Sequence, residues 1–271
     1  MVLAYYIKKR ALQHDVDLFS VLAAFKAAGN EVYNIMDGLR EGTDMLLSFG
    51  GDGTFLTAAR FVAEAGVPVL GINLGRLGFL SEYKLEDIVE PVMSGEFTIE
   101  EREMLHVEVS GLETADDYWP YALNEVSVHR SGAGTLGIKV NVNADQLPTY
   151  WADGMLVSTS SGSTAYSLSV GGPICMPDVK AFILAPIAPH NLNVRPLVVN
   201  EKSSIGISFK SKDDKVVLLA LDNRDFVVPI SAEIKVSAAP FTLKRVRLGK
   251  SNFIDALRTK LFWGEDVRNQ L

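Results

Sequence analysis

The alternation of strand and helix patterns over the first hundred residues most constrains the fold of this chain. Short apolar segments of strand character are separated by segments in which apolar residues recur with helical spacing. In chain order the segments are strand 3–7, helix 16–28, strand 45–49, helix 55–65, strand 67–72 and helix 85–93. Such an order predicts a parallel sheet with helices on its faces. Ligands of these sheets bind beyond the carboxyl ends of the strands, so the residues that follow each strand are candidates for a functional site.

The pattern changes after about residue 100, where alternating, mostly β-branched segments are separated by turn residues. This texture predicts successive strands of a β-rich domain. The strands expected are 105–109, 122–129, 138–142, 155–159, 205–209, 216–221 and 233–238. We therefore predict an α/β domain over residues 1–100 and a β-rich domain over 101–251. A C-terminal helix within 252–271 is expected to pack back on the first domain.

Composition excludes several classes of protein. The 271 residues include 48% hydrophobic and 22% charged residues, which is ordinary for a globular chain. The formal net charge of −7 argues against general nucleic-acid binding. No apolar run approaches the roughly 20 residues that span a bilayer, and Met1–Ile7 is a strand pattern rather than a signal peptide, so we expect a cytoplasmic protein with no membrane contact. The single cysteine, Cys175, excludes an intrachain disulfide framework and a multi-cysteine metal site.

A glycine-rich motif, Gly50 to Thr54, follows the strand pattern 45–49 and places Asp52 among three glycines. Glycine allows backbone amides to approach a phosphate closely, and Thr54 is expected to cap a helix whose N-terminus faces an anion. A carboxylate repels phosphate unless a divalent cation bridges the two groups, or unless the carboxylate faces a hydroxyl as a base. The alternative is a glycine-rich turn in which Asp52 is a turn or cap residue.

A second motif, residues 151–173, is dominated by hydroxyl side chains. A strand over 155–159 leads into a Ser/Gly/Thr turn, so that several hydroxyls and amides can converge on one polar ligand. Tyr166 offers a flat face on which a base could stack. The alternative is a solvent loop without a ligand. Apolar flanks and Gly171-Gly172-Pro173 favour a segment that is held against the protein.

Taken in order, the motifs resemble those of the bacterial NAD kinase family. The Gly-Gly-Asp-Gly-Thr element also occurs in diacylglycerol and sphingosine kinases, but the whole ordered set is specific. The matching stretches are Gly50–Thr54, Gly71–Asn73 with Leu77–Leu80, Leu123–Glu125, Ala152–Gly154, Thr164–Ser169 with Gly171–Pro173, and Ala185–His190 with Arg195-Pro196.

The resemblance implies transfer of the γ-phosphoryl group of ATP to the 2′-hydroxyl of the adenosine ribose of NAD, giving NADP. It implies an NAD kinase/diacylglycerol kinase-like fold, with an α/β N-terminal domain containing a parallel sheet and a β-rich C-terminal domain. Asp52 would be the general base. Mg²⁺ would be bound mainly through nucleotide phosphates, with no side chain assigned as a metal ligand. Family members are commonly homodimers or homotetramers.

The resemblance also assigns residues to the nucleotide. Asp153 would contact the dinucleotide from a neighbouring subunit, and Ala188 would offer a backbone contact. The full set is Gly53, Asn124, Glu125, Asp153, Thr164, Ala165, Tyr166, Ser167, Leu168, Ser169 and Ala188.

Two departures from the family pattern affect this assignment. Asp222-Asn223-Arg224 stands where many members have Asp-Gly-Gln, so Arg224 could meet a phosphate instead, and Trp151 stands where many have a basic residue. The run Lys244 to Arg247 alternates basic and apolar residues, which predicts an edge or half-exposed strand with a solvated face. Two further functions stay open at this point: a lipid kinase, which would need an apolar acyl pocket or a membrane-facing patch, and a non-catalytic NADP-binding regulator.

Overall fold

The computed structural model describes residues 1–8, 16–75, 78–112, 118–212, 214–249 and 252–264. The chain forms two compact units, Met1–Glu101 with Leu243–Leu271, and Arg102–Thr242. The second unit therefore ends at Thr242 and not at residue 251, because the strand that begins at Leu243 belongs to the sheet of the first unit.

The elements run in chain order as follows. The strands are β1 (Val2–Ile7), β2 (Glu31–Asn34), β3 (Met45–Phe49), β4 (Val69–Ile72), β5 (Phe97–Arg102), β6 (Leu105–Val109), β7 (Tyr121–Ala122), β8 (Glu125–Arg130), β9 (Leu136–Val142), β10 (Asp145–Gln146), β11 (Tyr150–Ala152), β12 (Gly154–Thr159), β13 (Ala181–Ile187), β14 (Leu197–Asn200), β15 (Ile205–Lys210), β16 (Val216–Leu221), β17 (Arg224–Pro229), β18 (Ile234–Ala238) and β19 (Leu243–Leu248). The α-helices are α1 (Val16–Ala27), α2 (Asp52–Ala59), α3 (Val89–Ser94), α4 (Tyr166–Ser169) and α5 (Phe253–Leu261). Short 3-10 turns cover Ile35–Asp37, Leu85–Asp87 and Ser161–Thr164.

The sheet of the first unit has the strand order β2-β1-β3-β4-β19-β5, and the pairs β1–β2, β1–β3, β3–β4 and β4–β19 are parallel. All five residues of β3 are buried, as expected for a parallel strand covered on both faces. The chain order reverses between β1 and β3, where Ile7 lies opposite Phe49. Parallel sheets bind ligands beside such a reversal, at the carboxyl ends of the strands. Asp52 follows the end of β3 at this place.

Strand β19 corrects the prediction for Lys244 to Arg247. The strand lies between β4 and β5 and is not an edge, and Arg245 is only 3% exposed. Its guanidinium nitrogens lie 3.0 Å from Glu82 Oε2 and 3.7 Å from Glu100 Oε2. These carboxylates balance the buried charge of Arg245, while Lys244 and Arg247 stay partly exposed, as expected for a half-exposed strand.

Helix boundaries differ from the periodicity in two places. The helix expected over 55–65 begins earlier, at Asp52, and ends at Ala59. The helix expected over 85–93 is divided into a 3-10 turn and α3. In the C-terminal segment α5 ends at Leu261, and residues 265–271 lie outside the described part of the chain.

The second unit is built from antiparallel strands in two sheets. One has the order β10-β9-β15-β18-β6-β7 with β11 also paired to β9, and the other has the order β14-β13-β12-β8-β16-β17. Inward side chains of both sheets form one hydrophobic core, which is the packing of a β-sandwich. The expected strand over 122–129 is interrupted at Leu123-Asn124, so that Glu125 begins β8.

Among the helices of the described residues, none has the length and apolarity needed to cross a bilayer.

Candidate active site

The carboxylate of Asp52 is held by three consecutive backbone amides. Gly51 is the N-cap of α2, so Asp52 is the first helical residue. Its Oδ2 accepts from Phe79 N at 2.8 Å, and its Oδ1 accepts from Leu80 N at 3.0 Å and Ser81 N at 2.9 Å. A carboxylate offers about four lone-pair positions. The amides therefore leave one position, on Oδ2, for a further donor.

Two glycines make this contact possible. A Cβ on Gly78 would lie 1.9 Å from Asp52 Oδ1, so a larger residue would displace the carboxylate. Gly50 has φ +150°, and a Cβ there would lie 2.4 Å from Thr54 Oγ1. Thr54, expected as the helix cap, instead lies inside the first turn and donates its N–H to Gly51 O.

Gly51 and Gly53 have a different part in the motif. Both are exposed, and among the described residues a Cβ on either would meet no atom within 4 Å beyond its chain neighbours and its own helix backbone. The described residues therefore leave space at the N-terminus of α2, where first-turn amides and the helix dipole favour an anion. This is the geometry predicted for a phosphate site, and Gly53 stays the predicted phosphate contact.

The segment that binds Asp52 is tied to its own unit. Asn73 Nδ2 donates to Ser81 O at 3.2 Å, and Asn73 Oδ1 accepts from Gly75 N. Arg245 Nη2 donates to Leu80 O at 3.3 Å. Leu77, part of the predicted motif, lies outside the described residues.

In the second unit Asn124 and Glu125 are positioned by Asp222. The Asp222 carboxylate accepts from the backbone amides of Leu123, Asn124 and Glu125 at 2.8, 2.8 and 3.2 Å. Asp222 N donates in return to Glu125 O. Asp222 thus orders Asn124 and Glu125, the predicted NAD-binding pair. The two residues that follow Asp222 are the ones that depart from the family pattern.

Glu125 is a partly buried acid with a raised pKa. Burial and the nearby charge of Asp222 together raise its pKa to about 8, against a hydrogen bond from the Tyr166 backbone. Its Oε2 is buried and has no hydrogen-bond partner among the described residues. At pH 7 the carboxyl is mainly neutral, so it can both donate and accept hydrogen bonds to a ligand.

The hydroxyl-rich segment packs directly on this pair. A Cβ on Gly162 would lie 2.2 Å from Asn124 O, so the glycine lets the 3-10 turn 161–164 approach the start of β8. The predicted residues Thr164, Ala165, Tyr166, Leu168 and Ser169 follow as partly or fully exposed residues of the turn and α4. Ser167 differs from them because it is fully buried against Gly172.

Tyr166 already has an aromatic neighbour. Its ring lies 5.9 Å from the ring of His129 with an angle of 13° between the planes. It also packs against Leu156, Ile183 and Ala185. Burial lowers the pKa of His129, which favours a neutral imidazole against the tyrosine. The base-stacking role of Tyr166 stays a prediction.

Asp153 directly precedes β12, and Ala188 directly follows β13. Asp153 N donates to Ile187 O, next to Ala188, which has an exposed left-handed backbone with φ 45°. Asp153 Oδ1 accepts from Arg130 Nε at 2.7 Å. The sequence analysis did not identify Arg130, because its contact with Asp153 depends on the pairing of β8 with β12.

Arg224 does not reach a phosphate-binding surface. The residue is 8% exposed, and its guanidinium donates to Trp119 O at 2.6 Å and to Tyr121 O at 2.5 Å. It also lies 5.4 Å from the Trp119 ring centroid. The prediction of a phosphate contact at Arg224 is therefore wrong, because its guanidinium donates hydrogen bonds to backbone carbonyls inside the second unit.

Comparisons with known proteins match this chain over most of its length. The family models for the ATP-NAD kinase N-terminal and C-terminal domains match residues 7–93 and 123–248. The NAD kinase of Flavobacterium johnsoniae is 42% identical over 83% of this chain and 78% of its own. That of Porphyromonas gingivalis is 42% identical over 88% and 82%.

Solved structures show the same fold. A yeast NADH kinase complexed with NADH has a TM-score of 0.88 at 22% identity, covering 99% of this chain and 89% of its own. An NAD kinase from Archaeoglobus fulgidus in complex with ATP has a TM-score of 0.73 at 25% identity, covering 96% and 98%. The predicted fold class is confirmed, and the lipid-kinase alternative is not favoured.

Proposed function

The chain belongs to the NAD kinase family and phosphorylates NAD with ATP, and we propose that Asp52 is the general base that activates the 2′-hydroxyl of the adenosine ribose. The observation that carries the assignment is the geometry of the Asp52 carboxylate. Three amides fix its orientation and leave one lone-pair position on Oδ2 for the substrate hydroxyl.

In the proposed reaction Oδ2 accepts the hydroxyl proton as the ribose oxygen forms its bond to the γ-phosphorus of ATP. The bond between that phosphorus and the bridging oxygen breaks, and ADP leaves with its electron pair. General-base assistance of this kind contributes about 10²–10⁴-fold to the rate. The larger part of the acceleration comes from in-line positioning and charge neutralisation.

The phosphates are assigned to the N-terminus of α2. Gly53 lies in the first turn of that helix, where no protein atom occupies the space beside its Cα. The described residues contain no group of three or more His, Cys, Asp or Glu side chains that could hold a metal ion. We assign Mg²⁺ to the nucleotide phosphates, where it would neutralise the charge that develops during phosphoryl transfer.

The dinucleotide contacts are assigned to the second unit. A mainly neutral Glu125 with an unpartnered Oε2 suits ribose or adenine groups, and Asn124 lies beside it. Asp153, Ala188, Thr164, Ala165, Tyr166, Leu168 and Ser169 complete the set. Ser167 is fully buried, so its proposed contact is through the backbone. A homodimer or homotetramer in the cytoplasm is part of the proposal.

The test compares Asp52→Asn with Asp44→Asn. Asp44 also binds a backbone amide of the first unit, Val2 N at 2.7 Å, but lies at the opposite end of β3. With ATP, Mg²⁺ and NAD, the wild-type protein should form NADP. Asp52→Asn should lose at least about 10²-fold in kcat while its KM for NAD changes several-fold at most. Asp44→Asn should keep wild-type turnover.

Normal turnover in Asp52→Asn would remove Asp52 from the mechanism. Binding of NADP without any turnover in the wild-type protein would identify a non-catalytic regulator. Phosphorylation of diacylglycerol in place of NAD would identify a lipid kinase.

A further inference from the structure

The buried face of helix α5 carries a lysine. Phe253, Ala256, Leu257 and Lys260 recur at helical spacing and form one side of the helix. Ala256 and Leu257 are buried, and the Phe253 ring lies 6.1 Å from the ring of Phe79. A charged residue in line with these apolar ones needs compensating partners, because burial of an ammonium group is unfavourable.

Those partners lie at both ends of the segment that binds Asp52. Lys260 Nζ donates to Gly78 O at one end and lies 3.2 Å from Glu82 Oε1 at the other. It also lies 4.9 Å from the Phe79 ring centroid. The lysine side chain is 11% exposed, so these contacts are shielded from water.

Glu82 lies between Lys260 and Arg245, a buried residue of β19, and contacts both. One carboxylate oxygen contacts Lys260, and the other lies 3.0 Å from Arg245 Nη2. Arg245 also donates to Leu80 O. The carbonyls of Gly78 and Leu80 are thus held by cations, while the amides of residues 79–81 bind Asp52.

Burial lowers the pKa of Lys260, and the negative charges of Glu82 and Asp52 act against that shift.

We propose that Lys260 is a positioning residue for Asp52: it fixes the 78–82 segment so that three amides orient the carboxylate and keep its Oδ2 position directed to the substrate hydroxyl. The inference rests on the proposed role of Asp52 as the base. Helix α5 would therefore affect the rate of phosphoryl transfer without contacting the substrate.

The test is Lys260→Met, with Arg258→Met as the matched control. Arg258 is an exposed cation on the same helix, so its replacement removes a charge without touching the 78–82 segment. Lys260→Met should lower kcat about 10–100-fold, because small displacements of a catalytic group cost about this much, while the KM for NAD changes less than about threefold. Lys260→Arg should recover part of the loss. Arg258→Met should have wild-type kcat.

A second arm separates positioning from stability. Leu257→Ala loosens the same buried face and should lower Tm, but its folded fraction should keep wild-type kcat. If Lys260→Met does not fold, Lys260→Gln replaces it and should show a smaller loss of kcat in the same direction.

A double-mutant cycle tests whether Lys260 acts through Asp52. In the Asp52→Asn background, Lys260→Met should cause less than about a twofold further loss. A full additional loss, a change confined to the KM for NAD, or an equal loss in Leu257→Ala would overturn the inference. Normal turnover in Asp52→Asn overturns the proposed function, whereas normal turnover in Lys260→Met beside an impaired Asp52→Asn overturns this inference alone.

Discussion

The two units use the same hydrogen-bonding arrangement for different purposes. In the first, Asp52 accepts the amides of residues 79–81, and in the second, Asp222 accepts those of residues 123–125. Asp52 is partly exposed at the start of a helix. Asp222 is also partly exposed, but it lies in the two-residue connection between β16 and β17, with φ 51°.

The difference shows what makes such a carboxylate available for chemistry. Burial raises the pKa of Asp222, and hydrogen bonds from three amides and the charge of Arg224 act in the opposite direction. All of these partners belong to the protein, so Asp222 organises a loop. Asp52 has the same number of amide donors but lies beside two exposed glycines, where a substrate can approach. We therefore expect the access of a substrate to the remaining lone pair of Asp52 to separate the two roles.

Replacing each acid by alanine tests the comparison most directly. Asp222→Ala leaves three amides without an acceptor at a site where burial raises the pKa of the carboxyl, and should lower the unfolding free energy by about 3–6 kcal/mol. Asp52→Ala should lower it by about 1–2 kcal/mol, because water can reach the site. Urea titration of both variants measures the difference. Equal losses would show that exposure does not distinguish the two sites.

Gly78→Ala would break the Asp52 arrangement without changing the acid. The added Cβ occupies the position of the carboxylate, so Asp52 must turn away from its amides. We expect a loss in kcat of about 10²-fold, measured by NADP formation. Wild-type kcat in this variant would contradict the requirement for the three-amide geometry.

Glu125→Gln tests the raised pKa of Glu125, to which the charge of Asp222 contributes. The pKa of Glu125 is raised to about 8 from its usual 4.5, so between these pH values the folded state binds more protons than the unfolded state. Stability therefore falls as pH rises from about 4.5 to about 8. Glu125→Gln removes this contribution, so relative to wild type it should gain about 4 kcal/mol in unfolding free energy between pH 5 and pH 9. A constant difference between the two proteins at both pH values would contradict the raised pKa.

Gly53→Ala should produce the smallest change in stability and a separate change in binding. The Cβ meets no protein atom and lies in the first turn of a helix, so stability should rise by up to about 1 kcal/mol. The KM for ATP should rise, because the methyl group enters the space assigned to phosphate. Thermal unfolding and steady-state kinetics measure the two effects, and an unchanged KM would remove Gly53 from the phosphate site.

Elements with a clear local pattern could be predicted from sequence. The strand at 216–221 was predicted with its observed bounds, and α1 ends one residue earlier than expected. Strand β13 was missed, because it is buried along almost its whole length and shows no alternation. Strand β19 does alternate, but its burial depends on carboxylates far along the chain.

The candidate site could be predicted where its residues are close together in the sequence. Asp52 lies within its own glycine motif, so local sequence was sufficient to select it. Lys260 is 182 residues from Gly78 in sequence, and Arg245 is 165 residues from Leu80. Contacts across such distances depend on the register of the sheet and on the packing of α5, which no local pattern encodes.

The insertion of β19 between β4 and β5 has a consequence for synthesis on the ribosome. Residues 1–101 emerge first, but their sheet lacks an internal strand until residues 243–248 have been translated. Residues 102–242, by contrast, contain all strands of their own two sheets. Nascent chains that stop before β19 cannot complete the sheet that carries Asp52, so we expect kinase activity only after residue 248 has been translated.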